Sequence, residues 1–317
     1  MAGIADEPDR FAAGEPAVDA AIGAYNAEQA AVAARVRMRL TGIVGATVVI
    51  AVAAAFLAIA ADPDHEWFGT LNIFIYVGGF FGLLMAWDFA VKPARLLQQS
   101  LRDRILPHAF AFLEEVRYQH KAEPRSLTEL PRSVIGSYNR TTLGDVIAGR
   151  FEGLPLEIFE ALFKFKGGKS ESVAFKGLVV GFQLENPYAG TLVAIRRSGS
   201  MSRWFRDTFS SGDETIDFVN PEIGEAFEVR ASDARAARRI VDGALAKTLV
   251  FLRRTWPDGQ PRLALNGQSG FVLLPSTKDF FELPKIGTPI VYAAHIAPMT
   301  HELRSLAAIA RLAAQIR

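Results

Sequence analysis

The strongest hydrophobic pattern lies near the start of the chain, where two uncharged apolar stretches cover residues 40–61 and 68–87. Each has about the 20 residues that a helix needs to cross the hydrocarbon core of a bilayer. Backbone groups find no water in lipid, and a helix satisfies them within one segment. We therefore predict a two-helix transmembrane hairpin over residues 40–91, entered by a juxtamembrane helix over residues 17–39.

Beyond residue 92 the spacing of apolar residues becomes that of a water-soluble domain. A linker region over residues 92–140 is predicted to be helical from residue 93 to 118. From residue 141 onward, short alternating segments predict strands, and the Asn-Gly pair at 266–267 predicts a tight turn. The predicted strands cover residues 144–151, 156–165, 173–184, 191–196, 215–219, 226–230, 262–265 and 270–274.

Two further helices are predicted within this domain. Residues 233–254 form an amphipathic helix with Ser232 as its N-cap, and residues 300–316 form the last helix. Strands that arrive in hairpins, with helices before, between and after them, predict an α+β fold with a mainly antiparallel sheet. Residues 141–317 would form this cytoplasmic domain, whereas residues 1–16 are predicted to be a disordered acidic tail.

The charges that flank the apolar stretches predict their orientation. The segment between the stretches, residues 62–67, has three carboxylates and neither Lys nor Arg, whereas basic residues lie at both outer ends. Basic flanks stay on the cytoplasmic side, so both termini are expected in the cytoplasm. Asp88, at the cytoplasmic edge, is predicted to pair with Lys92. The basic residues are Arg35, Arg37, Arg39, Lys92, Arg95, Arg102 and Arg104.

Composition excludes several kinds of site. The chain has no cysteine, which excludes disulfides, thiolate metal sites and a cysteine nucleophile. A net charge of +1 is too small to indicate a nucleic-acid partner. His295 and His301 lie across Pro298 with unsuitable spacing for two metal ligands, so we predict no catalytic, cofactor-binding or metal-binding residues.

A lysine- and glycine-rich segment resembles part of a phosphate-binding loop. Residues 166–170 read Lys-Gly-Gly-Lys-Ser, but the full motif needs a glycine where Phe163 stands. Without that glycine the backbone cannot cradle phosphates, and the segment is predicted to be a hairpin turn.

One surface combines arginines with large aromatic residues. Such a set suits contact with an anionic membrane, contact with a protein partner, or capping of the sheet by apolar rings, and these alternatives stay open. A second arginine cluster, Arg235, Arg238 and Arg239, is expected near a helix N-terminus, where it would need an anionic neighbour. The residues of the first surface are Arg196, Arg197, Arg203, Trp204, Phe205 and Arg206.

Two glycines in the second apolar stretch, Gly78 and Gly82, have the spacing that lets helices approach closely. The spacing fits packing of the hairpin against itself, and it also fits a homo-oligomer. The lipid bilayer is the other partner that this part of the chain predicts.

Several short motifs in the second half of the chain occur in a fixed order. They are Phe-Lys-Gly-Leu at 175–178, Gly-Thr-Leu-Val at 190–193, Phe-Glu-Val-Arg-Ala-Ser-Asp at 227–233 and Phe-Phe-Glu at 280–282. Together they resemble the DUF3137 family over roughly residues 100–317. The resemblance implies a bacterial membrane protein with two transmembrane segments before a cytoplasmic domain, no transferable catalytic residues, and a LemA-type membrane protein as partner.

These observations predict an integral membrane protein that presents a cytoplasmic α+β binding module at the inner membrane. The alternative is a membrane-associated hydrolase or transferase whose site assembles from residues distant in the sequence. A deep pocket that gathers His295 or His301 with several acids would favour the alternative.

Overall fold

The computed structural model describes residues 15–61, 70–168, 170–197, 213–277, 280–281, 284 and 288–316. The chain divides into two compact units. The helical unit comprises Glu15–Leu106 with Leu283–His295, and the sheet unit comprises Pro107–Glu282 with Ile296–Arg317.

Two long helices dominate the helical unit, α1 over Glu15–Ala61 and α2 over Thr70–Ala109. By length and composition, one helix in the described part of the chain could cross a membrane, within Val18–Leu57, and its apolar window is not buried at all. The described residues thus establish one such helix, and the two-helix hairpin stays a prediction. Large apolar side chains are exposed along both helices, among them Val49, Ile50, Phe56, Phe80 and Met85.

Side-chain contacts stabilise the helical unit. The side-chain amide of Asn26 donates to the carbonyl of Ile290 and accepts from its N–H, both at 2.8 Å. The Arg39 guanidinium lies 5.0 Å from the centre of the Phe89 ring. Asp88 pairs with Arg95 at 2.6 Å rather than with the predicted Lys92, because residues seven apart also lie on one helix face after two turns.

Seven strands, all paired antiparallel, form the sheet of the sheet unit. Their order is β1-β2-β3-β4-β6-β5, and β7 pairs with the other edge of β4. This confirms the predicted α+β class with a mainly antiparallel sheet and flanking helices. The strands are β1 Glu114–Gln119, β2 Arg140–Phe151, β3 Leu154–Gly167, β4 Ser170–Arg196, β5 Glu214–Ile216, β6 Phe227–Ala231 and β7 Arg262–Pro275.

The β2–β3 hairpin forms where it was predicted. Phe151 pairs with Leu154, so Glu152 and Gly153 form a two-residue loop. Both have positive φ, 49° and 76°, which is the backbone of the tight turns that join twisted strands.

Two predicted strand breaks are wrong. β4 is one strand of 27 residues, with irregular pairing between Gln183 and Thr191, and β7 is one strand across the Asn-Gly pair. A tight Asn-Gly turn needs positive φ at both residues, but only Gly267 has it, at 59°. The pair therefore forms an irregularity inside β7, opposite the irregular part of β4.

Two predicted helix boundaries also differ. The helix expected to reach Tyr118 ends at Ala109, and residues 114–119 form the edge strand β1. The helix expected over residues 233–254 is divided by Gly243, whose φ and ψ of −100° and −115° are not helical. Its N-cap is Asp233, whose carboxylate accepts from the Ala236 N–H at 2.9 Å, whereas the predicted cap Ser232 accepts from the Thr191 N–H.

The remaining helices flank the sheet. The last helix, α7 (Ala297–Ala314), packs against β4 and β7 on one face of the sheet. The short helix α3 (Arg132–Ile135) packs against the same strands on the other face, where it is part of an apolar cluster. The largest side chains of that cluster are Phe159, Phe163 and Phe271, all fully buried. The helices are α3 Arg132–Ile135, α4 Pro221–Ala226, α5 Ala234–Ile240, α6 Ala246–Thr255 and α7 Ala297–Ala314.

Candidate functional site: a polar groove and an arginine cleft

A groove of about 490 Å³ lies across the sheet, next to the apolar cluster of the core. Its floor comes from β1, β2, β3, β4 and β7, and its wall comes from residues 123–129, which include a short 3-10 helix. Charged and amide side chains line it together with apolar residues such as Val146, Leu156 and Phe182. We call this feature the polar groove, and its polar side chains are Glu115, Arg117, Gln119, Glu123, Arg125, Ser126, Glu129, Arg150, Glu157, Gln183, Gln268 and Ser269.

Hydrogen bonds hold the wall of the polar groove against its floor. The Glu157 carboxylate accepts from both the N–H and the hydroxyl of Ser126, each at 2.8 Å. At the far end, the Asn266 amide donates to the Glu129 carbonyl at 2.9 Å. A Cβ at Gly181 would lie 2.5 Å from the Ser126 hydroxyl, so only glycine lets the wall approach this closely. The groove is therefore shaped before any ligand enters.

Both signs of charge line the polar groove. Arg117 and Glu115 come from the exposed strand β1, and Arg125 and Glu123 come from the wall. Among the described strands, β1 pairs only with β2, so it is an edge strand of the sheet beside the groove. Mixed charges next to an edge strand suit an extended polypeptide, which can pair with such a strand and place its side chains in the groove.

A second cleft, of about 450 Å³, contains the described part of the predicted arginine surface. We call it the arginine cleft, and it is lined by Arg196, Arg197, Glu222, Glu225, Ala226 and Arg253.

Two of these arginines bind backbone carbonyls. Arg196 donates to the carbonyls of Pro257 and Gly259, and Arg197 donates to those of Gly224 and Phe227 at 2.7 and 3.1 Å. The Arg196 guanidinium thus fixes the loop after α6, and that of Arg197 fixes the junction of α4 and β6, while both line the cleft. Arg203, Trp204, Phe205 and Arg206 lie outside the described residues.

The second arginine cluster is divided between the two ends of α5: Arg235 lies in the first turn, as expected, and the other two arginines lie in the last turn. Because α5 ends at Ile240, Arg238 and Arg239 occupy its last turn, where positive charge is favourable. Arg238 also pairs with Glu214 at 3.2 Å. The helix end accounts for Arg238 and Arg239, and Glu214 neutralises Arg238, so neither needs an external anion.

The histidines do not gather at either of these clefts. Neither is lined by a histidine, and His295 accepts from the Val291 N–H at 3.0 Å. Sequence reasoning missed a contact between two side chains. The imidazole of His120, which directly follows β1, contacts the carboxylate of Asp145 in β2, whose side chain is only 4% exposed. The two residues stand 25 positions apart, so no local motif could have shown it. Among the described residues no group of three or more His, Cys, Asp or Glu could hold a metal ion.

Burial shifts the pKa of two side chains in the sheet unit. Desolvation lowers the pKa of Arg262 to about 10. Its guanidinium donates to the Val134 carbonyl at 2.7 Å and lies 5.5 Å from the centre of the Phe175 ring. Desolvation, helped by the charge of Asp233, raises the pKa of Tyr188 to about 12. Both groups keep their usual protonation states at neutral pH and act as structural anchors.

The comparison with protein families agrees with the motifs. Residues 173–315 match the family model "Protein of unknown function (DUF3137)". The predicted resemblance is confirmed over that DUF3137 region. It was expected from about residue 100, and the match begins in β4.

The motif residues of the DUF3137 region have structural roles. Gly177, with φ of 152°, lies where a Cβ would overlap the Leu274 carbonyl oxygen of β7. Phe227 is buried in β6, and Asp233 caps α5. Phe281 is fully buried and packs edge-to-face on Phe110, with ring centres 6.2 Å apart. These positions build the fold and leave the two clefts to other residues.

Other comparisons add little. A solved structure, the mycobacterial trehalose monomycolate transport factor A (TtfA), aligns at 14% identity with a TM-score of 0.34, over 62% of this chain and 88% of that chain. The alignment is too loose to establish a common fold. No curated protein matches the chain significantly.

Proposed function

We propose that the protein is a two-span membrane protein that holds its sheet unit at the cytoplasmic face of a bacterial inner membrane as a protein-binding module. The exposed apolar side chains of α1 and α2 support the anchor, because such surfaces need a lipid solvent. The basic residues at the outer ends of both apolar stretches support cytoplasmic termini.

The observation that carries the binding role is the polar groove. Its wall is fixed by the Ser126–Glu157 bonds, so little ordering is needed when a partner binds. Its mixed charges and the edge position of β1 fit an extended segment of a membrane-protein partner, which would add a strand beside β1. The DUF3137 resemblance makes a LemA-type protein the first partner to test.

The arginine surface, Arg196, Arg197, Arg203, Trp204, Phe205 and Arg206, is a second proposed contact for this partner or for anionic lipid. Arg196 and Arg197 bind backbone carbonyls, so their alanine variants would disturb the fold as well. Arg253→Ala is therefore the cleaner test in the described part of the cleft, and Arg203→Ala and Arg206→Ala test the rest of the predicted surface. Weaker partner recovery in these variants would support the surface, and unchanged recovery would remove it.

A homo-oligomer through Gly78 and Gly82 is also proposed. A Cβ built at either glycine meets no atom within 4 Å among the described residues, so that helix face is open to a second copy. Cysteine crosslinking at Gly78 and Gly82 in membranes should give dimers if the proposal is correct.

Photocrosslinking in native membranes tests the groove. A photoreactive residue at Gln183, which is exposed on the groove floor, should crosslink a discrete partner, and Arg117→Glu should remove the product. The matched control places the same residue at Val219, which is 84% exposed and lies outside the groove lining. Equal crosslinking at both positions, or none at Gln183, would contradict the proposed binding role.

A further inference from the structure

The end of the β3–β4 hairpin exposes apolar side chains that do not pack in the core of the sheet unit. We call residues 164–168 and 170–173 the hairpin tip. Phe165 is 43% exposed and Val173 is 59% exposed. Phe165 pairs with Ser172 and Lys164 pairs with Val173. Neighbouring pairs of an antiparallel ladder point to opposite faces, so the tip presents one apolar side chain on each face.

Basic side chains lie on the Val173 face of the tip and neighbour Phe165 along the strand. They are Lys164, Lys166 and the exposed Arg140, and the carboxylate described beside them is Glu171, which pairs with Lys164 at 3.5 Å. The whole chain is nearly neutral, with 35 basic and 34 acidic residues. The excess of lysine and arginine is therefore a local feature of the tip.

Hydrogen bonds hold the tip in one conformation. The Asn139 side chain donates to the Lys166 carbonyl and accepts from its N–H, both at 2.9 Å, as a neighbouring strand would. The Ser170 hydroxyl donates to the Gly167 carbonyl at 3.0 Å. A Cβ at Gly167 would lie 3.0 Å from the Phe165 ring, so the ring lies close over that glycine. Phe165 is thus presented at a fixed site.

From this geometry we infer that the hairpin tip docks on an anionic lipid surface. Phe165 and Val173 enter the headgroup boundary, and Lys164, Lys166 and Arg140 bind lipid phosphates. The exposed apolar side chains suit the apolar boundary of such a surface, and the basic side chains beside them suit its negatively charged headgroups. The inference rests on the membrane anchor of the proposed function, which keeps the sheet unit beside a bilayer.

A single fluorophore can report the docking, because the chain has no cysteine. Ser172→Cys puts an environment-sensitive dye directly across from Phe165 and leaves Phe165 in place. The full chain is reconstituted in phosphatidylcholine vesicles with or without phosphatidylglycerol. Two quenchers are compared, a nitroxide on the lipid headgroup and a neutral water-soluble quencher. The matched control carries the dye at Val219→Cys, an exposed position away from the tip.

Docking predicts that in anionic vesicles the dye at residue 172 is quenched from the lipid and protected from the water-soluble quencher, whereas the dye at residue 219 behaves in the opposite way. Lys164→Glu with Lys166→Glu should lower the ratio of docked to free tip by about tenfold or more, because each basic residue near such a surface contributes about fivefold. Phe165→Ser should also reduce quenching from the lipid.

Three results would overturn the inference. The dye at residue 172 could stay exposed to water in anionic vesicles, its quenching could survive the charge reversal, or it could be protected from both quenchers, which would indicate a protein contact. Flotation separates this failure from that of the anchor. Protein that does not float with the vesicles disproves the anchor, whereas floating protein with a water-exposed tip disproves docking alone.

Discussion

The same residue type occupies opposite positions in the two units. In the helical unit, Phe56 is 77% exposed and Phe80 is 59% exposed, whereas Phe159, Phe163 and Phe271 of the sheet unit are 0% exposed. The sheet unit follows the rule for water, in which apolar surface is removed from the solvent. The helical unit breaks that rule along its apolar stretches, and lipid is the solvent in which such a surface is stable. Equivalent substitutions should therefore have different effects in the two units.

The largest expected effect is in the sheet core. Phe163→Ala should lower the free energy of unfolding by about 3–5 kcal/mol, because it removes a fully buried ring and leaves a cavity. Thermal unfolding of the detergent-solubilised full chain, followed by loss of protease resistance, measures the change. Phe165→Ala is the matched control two residues along the same strand, and it should change stability by less than about 1 kcal/mol. Similar losses for both variants would contradict the assigned burial.

The next effect distinguishes lipid from water around α1. Ile50→Arg should cost about 3 kcal/mol of insertion free energy and reduce the membrane fraction, since arginine is unfavourable at the centre of a spanning helix. Ile50 is 67% exposed, so the same change in water would be almost neutral. Val219→Arg, at an exposed valine of the sheet unit, is the control and should leave membrane insertion unchanged. Normal insertion of the Ile50 variant would argue against a lipid-facing helix.

A smaller effect is expected at the buried arginine of the sheet unit. Arg262→Met should destabilise the fold by about 1–3 kcal/mol, because the buried Val134 carbonyl loses its donor at 2.7 Å. Removing a desolvated charge offsets part of that cost. Arg253→Met, on the exposed end of α6, should be close to neutral in the same unfolding measurement. A stabilised Arg262 variant would show that desolvation outweighs the hydrogen bond.

The smallest effect tests a corrected helix boundary. Asp233→Ala should cost about 1 kcal/mol, because the carboxylate caps α5 by accepting from the Ala236 N–H. Hydrogen exchange of the first turn of α5 should increase in that variant. Ser232→Ala should leave this turn protected and affect the contact with Thr191 instead. The reverse pattern would restore Ser232 as the cap.

Local patterns predicted the elements whose causes are local. The β2–β3 hairpin was found because Glu152 and Gly153 form a short turn between apolar strands. The last helix was expected over residues 300–316 and lies at Ala297–Ala314. β4 was divided in error because the turn-forming residues at 186–190 are overridden by pairing with β3 and β6 on one edge and β7 on the other. β1 was missed because its six residues are mostly polar and lie at the sheet edge.

The candidate site was much less predictable than the fold. The polar groove combines side chains from Glu115 to Ser269, contributed by five strands, and no spacing rule joins positions so far apart. The arginine surface was visible because its residues are close together in the sequence. Its described members, Arg196 and Arg197, bind backbone carbonyls distant in the sequence, which a sequence pattern does not reveal.

The most direct test of the central claim asks where the full-length protein partitions without detergent. Membranes from expressing cells are washed with alkaline carbonate and floated through a density gradient. If α1 and α2 have lipid as their solvent, the chain stays in the floating membrane fraction and requires detergent for release. Recovery of folded full-length protein in the soluble fraction would contradict the account.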